Sequence, residues 1–249
     1  MWYGDWNAAR ESEITLNKQA YIDDRNAHND LSPNNLFTSV DSQLRSLKSY
    51  AQFEALMNNY YSHTGTAEDV TSHEISEVNA FLQGIMATYP MQKAHEYLVS
   101  KGLAPSNELD FIDELRKIWF ELYTRSSGPM DSSGFEHVLV GEIKNGDVTG
   151  FHNWIQFYLE EQAGFANYYG WMSDIEPDIM SIQFKWQGHM KEISSMWIGR
   201  SPEFELGIFT ICFKEYPNSV CKFEMAGYNT NVQTYDQDVV YIGSAYPIA

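Results

Sequence analysis

Apolar positions in the first half of the chain recur at helical spacing. In LFTSVDSQLRSLKSYAQFEALMNNYYS, Phe37, Val40, Leu44, Leu47 and Tyr50 follow one another at intervals of three and four, which predicts one helix with one apolar face. TSHEISEVNAFLQGIMATYPMQKAHEYLVSKG opens with Thr71 and Glu74 as a capping box. It breaks at Tyr89-Pro90 and closes at Gly102, so it predicts two helices in series. ELDFIDELRKIWFELYTRSSG predicts a further amphipathic helix, closed near Gly128. The turn-rich stretch SSGPMDSSG, residues 126–134, is the natural linker. Beyond it the period changes. FEHVLVGEI, MSIQFKW, SSMWIG, VCKFEMAGY and DVVYIGSAY read as strands. GFHNWIQFYLEEQAG reads as a helix with Phe151, Ile155, Tyr158 and Leu159 on one side. SPEFELGIFTICFKEY reads as a helix with Ser201 as cap and Pro202 in its first turn. The expectation is an α+β protein. A mainly helical N-terminal lobe, residues 1–128, precedes a lobe of antiparallel sheets with two long helices, residues 129–249.

The chain has 249 residues, 43% of them hydrophobic, enough for a sizeable core. No run approaches the roughly 20 apolar residues of a membrane span. The N-terminus, MWYGDWNAARESEI, lacks a charged head followed by an apolar run, so no secretory leader is visible. The compartment expected is cytoplasmic or nuclear for a complete chain, and secreted for a trimmed one. Cys212 lies in an apolar run and reads as a buried thiol, with a single bridge to Cys221 left open.

The formal charge of −18 changes the picture most. Residues 1–125 carry 10 basic and 18 acidic side chains, and residues 126–249 carry 6 and 16, so neither half is basic. Such a surface repels phosphate backbones and favours cations. A nucleic-acid function then requires a local positive cleft, a divalent metal, or both.

Candidate chemistry concentrates in GFEHVLVGEIKNGDVTGFHNW, where His137 and His152 stand fifteen positions apart. Strand alternation through FEHVLVGE puts Phe135, His137 and Leu139 on one face and Glu136, Val138, Val140 and Glu142 on the other, barring a bulge at Gly141. On that reading His137 and Glu142 diverge, and Glu136 and Glu142 pair to accept hydrogen bonds from a neighbouring loop. His152 follows Gly150 at the start of a helix, where the dipole disfavours imidazolium and keeps a base neutral. A protonated histidine across a cleft one phosphodiester wide would complete an acid–base pair. That pair suits transfer of phosphate from a 5′-oxygen to a ribose 2′-hydroxyl, with a cation offsetting charge on phosphorus. Two packed histidines, or a His/Glu metal site, are the competing readings of the same residues.

The stretch DSSGFEHVLVGEIKNGDVTGFHNWIQFYLEEQ strongly resembles the EndoU family of uridylate-preferring endoribonucleases. DRNAHNDLSPNNLFTSV, TAEDVTSHEISEVNAFL, IWFELYTR, SSMWIGRSPEFELGIFTICF and IGSAYP also look like segments of the animal branch, in family order. The resemblance implies cleavage of uridine-rich single-stranded RNA to a 2′,3′-cyclic phosphate and a 5′-hydroxyl, by a monomer. It implies His152 as general base, His137 as general acid and Lys191 as the third catalytic group, in preference to Lys185. It implies Glu136 and Glu142 as supporting residues. Ser195, Ser244 and Tyr246 would bind substrate, with Ser194 replacing Ser195 if the register differs by one. It also implies a divalent cation, Mn2+ or Ca2+. Asp23 with Asp24, and Asp174, Glu176 and Asp178, are acidic clusters, but none has the spacing of a known metal loop, so no ligands are assigned. His189 reads as a surface residue, and His28, His63, His73 and His95 carry no catalytic role. The alternative reading is a non-catalytic RNA- or phosphoinositide-binding module on this scaffold.

Overall fold

The computed structural model describes residues 1–125 and 128–249; Ser126 and Ser127, the first two positions of the expected linker, lie outside the described residues. The first half begins with two short 3-10 turns and a two-stranded sheet, β1 (Ile14–Leu16) against β2 (Phe37–Val40). Five helices follow: α1 (Ser42–Arg45), α2 (Lys48–Leu56), α3 (Ser72–Met86), α4 (Tyr89–Ser100) and α5 (Glu108–Phe120). The helix starts obey their caps. Thr71 and Glu74 form the reciprocal box of α3, Asn107 accepts from two amides at the head of α5, and Pro90 sits in the first turn of α4.

The single helix expected from Phe37 onward is instead a strand and two helices. The buried Glu161 carboxylate accepts the Leu36 and Phe37 amides at 2.6 and 2.9 Å, which holds that segment extended. Asp41 then caps α1 through the Gln43 amide at 2.7 Å, and Leu47 turns extended before α2. The apolar spacing was right for burial and wrong for conformation.

In the second half, residues Glu136–Val140 form one π-helical turn rather than a strand. The hairpin β3 (Glu142–Lys144) and β4 (Asp147–Thr149) follows, then α6 (Trp154–Gln162), β5 (Ala166–Ile175), β6 (Ile179–Trp186), β7 (His189–Trp197), α7 (Pro202–Glu215), β8 (Val220–Met225), β9 (Tyr228–Gln237) and β10 (Tyr241–Pro247). One sheet runs β3-β4-β7-β6-β5 and the other β10-β9-β8. All pairings are antiparallel except the short contact of β4 with β7. SSMWIG is the end of a strand that starts at His189. Pattern reading missed β5 and β9. In β9 the inward positions are Thr230, Val232 and Thr234, so no large apolar alternation marks it.

Helix α7 is buried along almost its whole length, with Ser201 capping it through the Phe204 amide at 3.2 Å. Cys212 near its end is bridged to Cys221 of β8, with Cα atoms 5.4 Å apart. The free thiol expected at Cys212 is therefore replaced by a disulfide that ties the helix to the C-terminal sheet. One apolar cluster runs from Leu36 through Ala245 and draws on both halves of the chain. Phe135 joins them: its ring lies 5.5 Å from Phe53, 4.8 Å from Phe120 and 5.9 Å from Tyr60. It is wholly buried and directly precedes the π-helical turn. Phe135→Ala is expected to destabilise the protein by about 3–5 kcal/mol in urea unfolding. A loss below about 1 kcal/mol would mean this ring does not join the two halves.

Candidate active site

The hairpin explains the histidine spacing. The chain leaves the π-helical turn at Gly141, runs out along β3, reverses at Asn145-Gly146 and returns along β4 to Gly150. Asn145 and Gly146 have φ of 55° and 93°, the left-handed pair that a tight hairpin turn requires. At the base of the hairpin the Phe151 amide donates to the His137 carbonyl at 2.9 Å, and the His152 amide donates to the Val138 carbonyl at 2.7 Å. Gly150 permits this approach. It has φ of 64°, and a Cβ there would lie 1.7 Å from the His137 carbonyl oxygen.

Each imidazole is anchored from behind. His137 Nδ1 lies 2.7 Å from Glu142 Oε2, and His152 Nδ1 lies 3.0 Å from the Ser195 carbonyl. A carboxylate or a carbonyl can only accept, so both Nδ1 atoms carry the hydrogen and both Nε2 atoms are the titrating positions. The divergence of His137 and Glu142 expected from a strand is thus wrong, because the π-helical turn and Gly141 swing the two side chains together.

Glu142 is fully buried. It also accepts from Ser132 Oγ and lies 3.2 Å from Arg125 Nε, and together with His137 these cations and donors outweigh burial and hold its carboxyl below the usual range. Glu136 does not share this role. Both its oxygens are buried without a hydrogen-bond partner among the described residues, and burial, with Glu142 nearby, raises its carboxyl far above the usual range. Burial thus favours its neutral form, and it is not one half of an accepting pair.

A pocket of about 480 Å³ is lined by His137, His152, Lys191, Ser195, Ser244 and Tyr246, together with Thr149, Gly150, Ser181, Ile193 and Ile248. Lys191 comes from β7 opposite Phe184, is 8% exposed, and has no carboxylate within ion-pair distance among the described residues. Burial brings its ammonium down to about 8. Lys185 lies elsewhere, over the Tyr169 ring. Burial also lowers both imidazoles, His152 well below its ordinary value with help from Lys191. His137 is lowered too, but the Glu142 charge opposes the shift. The cause at His152 is burial and not the helix dipole, since α6 begins only at Trp154 with Asn153 as its cap.

Ser195 donates its hydroxyl to the Pro247 carbonyl, which leaves only its oxygen lone pairs for a ligand. Ser194 donates to the Phe151 carbonyl and does not line the pocket. The Tyr246 ring stacks on His152 at 4.8 Å. Arg125, Ser132 and Thr149 were not anticipated as site residues; Arg125 closes the IWFELYTR motif and touches Glu142, so the motif itself held that signal. His189 is partly exposed, and among the described residues no group of three or more His, Cys, Asp or Glu side chains is arranged to hold a metal ion. Asp174 pairs with Lys18, and Asp178 with Arg200. No helix among the described residues is long and apolar enough to cross a membrane.

The chain is 42% identical to the human uridylate-specific endoribonuclease over 98% of its own length and 63% of that protein, so it spans less than two thirds of that relative. It is 38% identical to uridylate-specific endoribonuclease D of Xenopus laevis, covering 98% of this chain and 84% of that one. The solved structure of XendoU, described as a splicing-independent snoRNA-processing endoribonuclease, superposes with a TM-score of 0.84 at 37% identity, covering 99% of this chain and 93% of the other. The profile of the family described as Endoribonuclease XendoU matches residues 1–247, and with the whole fold shared as well, the chain belongs to that family.

Proposed function

We propose that the protein is an endoribonuclease that cleaves single-stranded RNA on the 3′ side of uridines, leaving a 2′,3′-cyclic phosphate and a 5′-hydroxyl. The observation that carries this reading is a pair of imidazoles, each anchored through Nδ1–H, in one pocket with a buried and unpaired ammonium. His152 Nε2 takes the proton of the 2′-hydroxyl as that oxygen attacks phosphorus. His137 Nε2 gives its proton to the departing 5′-oxygen. The assignment follows the electrostatics, because His152 is held further below its ordinary value, whereas at His137 the Glu142 charge opposes the lowering by burial. Lys191 offsets the charge gathering on the non-bridging oxygens. Ser195 accepts from uracil N3–H, Ser244 supplies a second hydroxyl, and the Tyr246 ring borders the base.

A divalent cation, Mn2+ or Ca2+, is proposed as an activator that acts outside this pocket. The pocket presents two imidazoles and an ammonium. No side-chain carboxylate lines it among the described residues, and Glu142 is sealed behind His137, so these side chains do not fit a dication at the phosphate. Its role is to offset the acidic surface along the RNA path.

With a single-uridine oligonucleotide, mass analysis should find the cyclic phosphate 3′ of uridine, with yield raised by Mn2+ or Ca2+ over EDTA. His152→Ala and His137→Ala should each lower turnover by roughly 10²–10⁴-fold with the melting temperature retained. Near-normal turnover in either variant removes that histidine from the chemistry.

The pH dependence of kcat/KM should be bell-shaped. It rises as His152 loses its proton and falls as His137 loses its own, both on the acid side of the ordinary histidine value. A further decline is expected near pH 8 as Lys191 discharges. A rate still climbing between pH 7 and 8 would eliminate His137 as the acid.

Lys191→Met should separate stability from activity. The lysine pKa is depressed on folding to about 8, so its charge destabilises the native state at neutral pH, and the effect fades as pH rises from there toward the unfolded value. Removing it should add on the order of 3 kcal/mol of stability at pH 7 while lowering kcat/KM by roughly 10²–10³-fold. A destabilised variant would show that the ammonium is satisfied in the resting protein.

A further inference from the structure

A second cavity, of about 360 Å³, lies between α3, α5 and the segment around Asn59–Val70, and shares no lining residue with the catalytic pocket. Two of its walls are aromatic. Tyr60 and Phe120 each rest on the buried Phe135, with ring centroids 5.9 and 4.8 Å away, so neither ring is free to swing. Val78 of α3 adds an aliphatic side. The cavity is therefore shaped for a flat apolar body.

Its charged groups are unevenly satisfied. Arg116 donates to Asn79 Oδ1 at 2.8 Å and pairs with Asp113. Glu74 accepts the Thr71 amide at 2.7 Å as part of the α3 cap, and Asp69 accepts from the Tyr61 hydroxyl at 3.3 Å. Glu68 differs. Its Oε1 accepts the Tyr61 amide at 3.0 Å, but its Oε2 is buried with no hydrogen-bond partner among the described residues. Lys117 is exposed and makes no ion pair with Glu68 among the described residues. A carboxylate oxygen stripped of water and left without a donor is a costly arrangement unless something donates to it. Burial raises Glu68 to about 7, so a cation beside it gains as the group ionises.

We propose that this cavity binds an organic cation with a flat apolar body, its ammonium beside the Glu68 carboxyl group and its ring lying against Tyr60 and Phe120. Five acidic side chains, Glu68, Asp69, Glu74, Asp113 and Glu121, line the cavity against Arg116 and Lys117, and the aromatic walls favour a cation over a neutral group of the same shape. A neutral ligand would leave the carboxylate as it is. An anion would meet Glu68 directly.

The test uses the whole chain and two probes of one shape, 2-phenylethylamine and 2-phenylethanol, in isothermal titration at about pH 8, where Glu68 is charged and the amine is still cationic. The amine is expected to bind at least about tenfold more tightly than the alcohol, and to weaken as pH falls through the Glu68 value. Glu68→Gln should weaken the amine by a similar factor, and Val78→Trp should abolish binding by filling the cavity, with thermal unfolding confirming that both variants fold. Equal affinity for amine and alcohol, unchanged binding in Glu68→Gln, binding retained in Val78→Trp, or no heat at millimolar amine would each overturn the proposal.

Discussion

Two main-chain hydrogen bonds set the geometry on which the site depends: Phe151 to the His137 carbonyl, and His152 to the Val138 carbonyl. They fasten the end of β4 to the π-helical turn, so the histidines occupy the two ends of one hairpin and not two unrelated loops. Everything local follows from that closure. Gly150 must lack a side chain because the carbonyl it passes leaves no room for Cβ. Gly141, at φ of 101°, redirects the chain so that Glu142 turns back onto His137. The same closure buries Glu142 and the rings it orients, and burial then tunes their protonation.

On the proposed function, an acidic protein handles phosphate by keeping its acidic side chains out of one place. The chain carries −18 overall, yet the polar side chains lining the pocket are two imidazoles, an ammonium and hydroxyls. The two nearby glutamates are disposed of differently. Glu142 is tied up by His137, Ser132 and Arg125, and burial pushes Glu136 toward its neutral form. Lys191 has no carboxylate within ion-pair distance among the described residues, so its field is directed into the pocket at low dielectric, where one charge counts for more than many on the surface. The long-range field still opposes RNA, so the local and global charges work against each other.

Most helices were legible because their caps are local chemistry: Thr71 with Glu74, Asn107, and Ser201 before Pro202 were readable without any tertiary knowledge. Failures arose where distant groups decide conformation. Phe37 is held in a strand by Glu161, far along the chain. FEHVLV alternates like a strand, but Glu136 to Val140 are all buried, so the pattern that usually reports one exposed face reported nothing. The Cys212–Cys221 bridge needs the end of α7 beside β8, which spacing alone does not reveal. At the site, the histidine pair and its chemistry could be reasoned from residues, whereas Lys191, Ser244 and Tyr246 came from resemblance. The structure places all of them around one pocket, and it adds Arg125 behind Glu142, whose only signal in the sequence is its place at the end of IWFELYTR.

On the proposed mechanism, the base and the nucleobase wall are parts of one device. His152 is lowered chiefly by burial, and much of that cover comes from the C-terminal end of β10, where Tyr246 stacks on the imidazole and Pro247 accepts from Ser195, whose carbonyl anchors His152. Any displacement of β10 would admit water to His152, restore its ordinary proton affinity and shrink the neutral fraction that can act as base. It would also carry Ser244 and Tyr246 away from the pocket. Tuning the base and shaping the nucleotide site therefore rest on the same strand. The Cys212–Cys221 bridge secures the far side of that strand's sheet, through β8 to the buried helix α7. Proton transfer and base recognition should then rise and fall together when that sheet is loosened, because they depend on one exclusion of water rather than on two separate sets of contacts.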